Sequence, residues 1–143
     1  MAGNSTPIYS RVAAIGLNGS ATIGTTIVSD YNGTGTNNAI IFTADATNGG
    51  FVQRLRFKSL GTNAVSVARI YINNGSSNTT ASNNSFYGEI SLPSVTASTT
   101  ASTVDIDYPL NFALPPGYRI VVGISAGSAL ASGWSVTTIA GAY

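Results

Sequence analysis

The 143-residue chain contains no cysteine and no histidine. Without cysteine there can be no disulfide, no thiolate nucleophile and no sulfur-ligated metal. Without histidine the commonest general base and the commonest metal ligand are both missing. Charge is scarce as well: six Lys and Arg face five Asp and Glu, 8% of the residues, for a net charge of +1. That balance does not supply the strongly basic surface that a nucleic-acid partner requires. No window approaches the roughly 20 apolar residues of a membrane-spanning helix. The opening "MAGNSTPIYSRVAAIG" has neither a basic leader nor a long apolar run, so it does not read as a secretory signal. A soluble protein that does not direct its own export is the expectation.

Ser, Thr, Asn, Gly and Ala take the place of the missing charges, and the mean hydropathy is nonetheless positive. A free monomer ordinarily relies on surface charge for solubility. So little of it fits a protein whose surface is largely covered by partners, or a component of an extracellular particle. The charges are also unevenly placed. Through Ile72 there are five basic and two acidic residues; from Asn73 onward there are one and three.

Short segments rich in β-branched and aromatic residues recur along the chain, bounded by Gly, Asn, Ser or Pro. They are "PIYSRVAAI" (7–15), "ATIGTTIVS" (21–29), "NAIIFTA" (38–44), "FVQRLRFKSL" (51–60), "AVSVARIYIN" (64–73), "FYGEISL" (86–92), "TVDIDYPL" (103–110), "YRIVVGIS" (118–125) and "WSVTTIAGAY" (134–143). Between them stand turn clusters such as "ATNGG" and "LPPGY". No amphipathic, capped helix is present; "SAGSALASG" has room for a helical turn at most. The length suits one domain, residues 1–143, with a short N-terminal arm at 1–9. The pattern predicts an all-β protein, an antiparallel β-sandwich of about eight or nine strands.

Half of the basic residues lie in "GFVQRLRFKSLGTN" (50–63). Alternation on a strand puts Phe51, Gln53, Leu55 and Phe57 on one face and Val52, Arg54, Arg56 and Lys58 on the other. The first face is expected to be core and the second a basic ribbon. Asp105 and Asp107 share the ribbon's two-residue spacing, so the two strands can lie side by side with opposite charges facing. The other reading is a contact with a subunit or a lattice. "NAIIFTA" and "AVSVARIYIN" are apolar on both faces, as in a central strand or a subunit contact. The segments at 73–85 and 95–103 have nothing to bury and read as mobile surface loops.

Other candidates carry less. Asp105 and Asp107 offer half of a calcium site and no more, so no metal is expected. Glu89 is the only glutamate and lies on the outward side of its strand, which leaves too few groups for catalysis. No cofactor motif occurs: the glycine clusters lack the Lys and the following helix of a phosphate loop. The tyrosines and Trp134 have the chemistry to stack on sugars, although aromatics in strands usually fill cores.

"PIYSRVAAIG", "GFVQRLRFKSLGTNAVSVARIYINNG", "FYGEISLP", "YPLNFALPPGYRIVVGIS" and "GWSVTTIAGAY" resemble small virion structural proteins of tailed bacteriophages, of the head-decoration (cement) or head-fibre type. The resemblance runs over most of the chain. It implies a jelly-roll-like β-sandwich without enzymatic activity, made in the host cytoplasm and docked on the capsid surface of the virion. It implies the major capsid protein as partner and a homo-oligomer, a trimer, with no direct contact to nucleic acid or membrane. Alternatives are a tail, collar or fibre component, or a carbohydrate-binding module on the virion. The resemblance supplies no binding residues. The residues read as candidate capsid or subunit contacts are Arg54, Arg56 and Lys58 of the ribbon, and Pro7, Ile8 and Tyr9 at the end of the arm.

Overall fold

The computed structural model describes residues 12–17, 23, 24, 26 and 30–143. Eight strands follow one another: β1 (Val12–Leu17), β2 (Ala39–Thr43), β3 (Gly50–Ser59), β4 (Ser66–Asn73), β5 (Asn84–Leu92), β6 (Asp105–Leu114), β7 (Arg119–Ser125) and β8 (Trp134–Ala142). They form two antiparallel four-stranded sheets, β1-β8-β3-β6 and β2-β7-β4-β5. Consecutive strands mostly alternate between the sheets, so the chain wraps as a ribbon around the core. This is the jelly roll, with its two interlocked Greek keys. The ninth predicted strand, 21–29, lies largely outside the described residues; Ile23 makes an isolated bridge to Trp134. The arm residues 1–9 lie outside them altogether.

The core sits between the sheets. Val52, Leu55, Phe57, Trp134 and Val136 come from one sheet, and Ile41, Phe42, Ile70, Leu92, Ile120, Val122 and Ile124 from the other. Burying each large side chain contributes roughly 1.5–3 kcal/mol against exposure. The turn at "LPPGY" shows how local chemistry closes the ribbon. Pro116 supplies the fixed φ, Gly117 takes φ +74°, and the Tyr118 N–H donates to the Pro115 carbonyl at 3.1 Å. That is a type II turn, with Pro and Gly where it requires them.

Bulges correct three expectations. In β3 the register slips between Val52 and Arg54 against both neighbours. The extra residue, Gln53, reverses the alternation. Val52 therefore joins Leu55 and Phe57 in the core, and Phe51 turns to the outer face instead of Val52. In β2 a slip between Ile40 and Phe42 lets both Ile41 and Phe42 point inward. The greasiness of "NAIIFTA" is thus in part a bulge in an edge strand, with Ile40 left exposed on the outer side. β6 runs past Pro109 to Leu114 because Leu110 and Asn111 bulge against Gln53, with Asn111 at φ +53°.

β4 is central, flanked by β5 and β7, as its two-sided composition required. Its inward face is Ala68, Ile70 and Ile72. Its outward face is covered by the chain itself. The Tyr71 hydroxyl donates to the Asp30 carbonyl at 2.7 Å, and Arg69 lies 3.8 Å from the centre of the Tyr31 ring. The 73–85 segment is a surface loop, as expected, and it has internal order. It contains a 3₁₀ turn at Ala81–Asn83 and is tied by asparagines. Asn73 Nδ2 donates to Asn84 Oδ1 at 2.8 Å, and Asn84 Nδ2 donates to the carbonyls of Asn78 at 2.7 Å and Asn32 at 3.1 Å.

Candidate interaction surface

The two outer faces of the sandwich differ. Over β4 and β7, Arg69, Tyr71, Asn73 and Val121 are buried. Among the described residues, no segment crosses the outer face of the β1-β8-β3-β6 sheet, and its registers arrange it in cross-strand rows. One row reads Leu17, Thr137, Arg56, Asp107; the next reads Ile15, Ile139, Arg54, Pro109. Ser135, Lys58 and Asp105 form a third, and Ala13, Gly141, Phe51 and Ala113 a fourth. Neighbours in a row are the pairs that interact across a sheet. The face is therefore divided: apolar toward β1, ionic toward β6.

Arg54, Arg56 and Lys58 lie on this face, opposite the Leu55–Phe57 core side, as the sequence implied. Their partners are in the chain. Lys58 and Arg56 stand in register with Asp105 and Asp107. Lys58 Nζ is 3.7 Å from Asp105 Oδ1 and donates to the Thr103 carbonyl at 2.6 Å. Arg56 Nη2 bonds Asp105 Oδ2, and its Nη1 is 4.0 Å from Asp107 Oδ1. Arg54 Nε lies 3.6 Å from Asp107 Oδ2. Three cations over two carboxylates leave the ladder one positive charge in excess. All five side chains are partly exposed, so each pair contributes at most about 1 kcal/mol. Pro7, Ile8 and Tyr9 lie outside the described residues.

The apolar half was not singled out in the sequence. Ile15 is 62% and Leu17 66% exposed. The spacing of Ala13, Ile15 and Leu17 does carry the signal, because alternate residues share a face. It was obscured because "VAAIGL" is apolar or small throughout.

A second cluster lies where the chain crosses β4. Arg69 Nε is 3.5 Å from Glu89 Oε2, in register across β4 and β5. Tyr31 meets the edge of Phe86 at 5.4 Å, and Tyr71 lies 5.8 Å from Phe86. Burial first, then the nearby Asp30 carboxylate, pushes the Tyr71 hydroxyl up to about 12. No group of three or more Asp and Glu side chains converges among the described residues.

Fold and surface together define the class: a jelly-roll β-sandwich with one covered face and one open, divided face. Comparison with family models, curated proteins and solved structures returned no significant match.

Proposed function

We propose that the protein is a non-enzymatic structural component of a bacteriophage virion, a decoration protein that docks on the capsid surface and bridges neighbouring copies of the major capsid protein. The observation that carries this reading is the open outer face of the β1-β8-β3-β6 sheet. It pairs an exposed apolar half with a charge ladder of net +1, while the chain covers the opposite face itself. A rigid sandwich with such a face supports a shell by burying apolar surface across a seam, with the ladder setting orientation. Many weak copies acting together hold firmly through avidity. The composition supports the non-enzymatic part, and the resemblance described above supports the virion.

The test is attachment to capsids stripped of the protein, at two salt concentrations. Arg54→Ala with Arg56→Ala is expected to weaken attachment while leaving the free protein's melting temperature nearly unchanged. Unchanged, salt-insensitive attachment with a markedly lower melting temperature would make the ribbon an internal brace only. Labelling of virions separates the head from the tail, collar or fibre.

One observation favours a carbohydrate-binding module as second reading. Tyr31 and Phe86 present exposed rings beside the Glu89 carboxylate and the Arg69 guanidinium, a pairing of stacking surface and polar groups suited to sugars. Glycan binding that Tyr31→Ala abolishes would establish it.

A further inference from the structure

A two-sheet sandwich has four edge strands, and each exposes unpaired backbone groups that can recruit another strand. Three of the four carry guards. β6 has Pro109, Asp105, Asp107 and the Leu110–Asn111 bulge. β5 has Glu89 and a slip in register at Tyr87. β2 is five residues long and is bulged at Ile41. β1 is also short, at six residues, but has no other such device. It contains no charge and no proline, and its register with β8 runs unbroken from Val12–Ala142 to Leu17–Thr137. No strand ladder joins β1 to β2 among the described residues.

From this asymmetry we infer that β1 is a self-association edge: two copies pair antiparallel through β1 about a twofold axis at Ile15, fusing two four-stranded sheets into one of eight strands. The inference is independent of the virion reading, and it replaces the expected trimer by a dimer. The occupant is a second copy because the edge is self-complementary. An axis normal to the sheet pairs only residues on the same face. Centred on Ile15, it sets Ile15 against Ile15, Ala13 against Leu17, and Ala14 against Gly16. The exposed side chains of both copies then form one apolar strip, continuous with Ile139, and the small residues meet underneath. Among the described residues no like charges come together, because the ionic rows lie two and three strands away. One edge pairing about a twofold closes at two, and the guards on the other edges prevent growth.

Sedimentation of the purified chain tests this. The wild type is expected to be a dimer at micromolar concentration. Ile15→Lys places two ammonium groups face to face at the axis and is expected to give a folded monomer, since the side chain it replaces is exposed. Ile15→Glu should do the same, and mixing the two variants should restore a heterodimer. A monomeric or trimeric wild type would overturn the inference, as would an Ile15→Lys dimer. Failure of the mixture to re-form the dimer, with circular dichroism showing both variants folded, would overturn the pairing at Ile15.

Discussion

Arg56 stands in register with Asp107, yet its guanidinium bonds Asp105, one row along the neighbouring strand. Asp105 thereby serves two cations, Arg56 and Lys58, whereas Asp107 holds Arg54 at 3.6 Å and Arg56 only at 4.0 Å. The ladder is skewed, and the skew gives the two carboxylates unequal weights.

Asp105→Asn is therefore expected to destabilise more than Asp107→Asn. Both effects should stay within about 1 kcal/mol, because every partner is partly exposed and screened by water. Urea unfolding at low and high salt measures this. The difference between the variants should shrink as salt rises.

Tyr71 makes stability fall in alkali. Its folded-state value of about 12 exceeds the ordinary 10.0, so folding favours the neutral hydroxyl. That contribution is complete below pH 10 and is lost as pH rises from 10 toward 12. Burial also raises Tyr108. Absorbance titration should show a late step for Tyr71 toward pH 12, and Tyr71→Phe should remove it. The same variant leaves the Asp30 carbonyl without its hydroxyl donor, a loss of about 0.5–1.5 kcal/mol at neutral pH.

Asp45 acts at the other end of the pH scale. Its Oδ1 accepts from the backbone N–H groups of Asn48 at 2.7 Å and Thr47 at 2.9 Å, which fastens the β2–β3 turn. These bonds, Asn48 first, hold its carboxyl below the ordinary 3.8. Its contribution is present above pH 3.8 and is lost as pH falls through the lowered value. Melting curves between pH 5 and 2 should show that Asp45→Asn loses less stability on acidification than the wild type.

How much of this was legible follows from the range of each interaction. The alternation of Ile120, Val122 and Ile124 survives because β7 pairs in unbroken register with β4. The two-residue spacing of Asp105 and Asp107 suffices to place them against Arg56 and Lys58, because the bulge falls before that stretch. Gln53 could not be read as the bulge. Phe51 and Val52 are both apolar, so either alternation fits "FVQRLRF". The cover over β4 was hidden for another reason: Asp30 and Tyr71 are 41 residues apart, and nothing local announces their bond.

Asn63 in "GTN" reads as a turn residue, and the structure gives it more. It is buried, and its Nδ2 donates to Ser59 Oγ at 2.9 Å and to the Gly133 carbonyl at 2.7 Å. Its Oδ1 accepts from the N–H groups of Ser132 at 3.1 Å and Gly133 at 2.8 Å. One side chain thus joins the end of β3 to the loop before β8. Asn63→Ala would leave the N–H groups of Ser132 and Gly133 without their acceptor, each costing about 1–3 kcal/mol. The expected loss is about 2 kcal/mol or more by chemical denaturation. Asn63→Asp should also be destabilising, because it removes both donated bonds.

Two glycines separate contacts that can yield from contacts that cannot. A methyl group on Gly16 would strike the Ile41 carbonyl, a backbone atom fixed in the β2 bulge. A methyl group on Gly88 would come within 2.5 Å of the Tyr108 hydroxyl, the far end of a side chain that is only partly buried. A side chain can swing outward, whereas a bulged strand moves only by giving up ladder bonds and core contacts. Gly16→Ala is therefore expected to destabilise by about 1–3 kcal/mol, in the range of overpacked cores. Gly88→Ala should cost less than about 1 kcal/mol. Thermal melts of the two variants side by side decide the matter. Equal losses would mean that β1 can lift away from β2 as easily as a tyrosine turns, and that the corner between the two sheets is not rigidly packed.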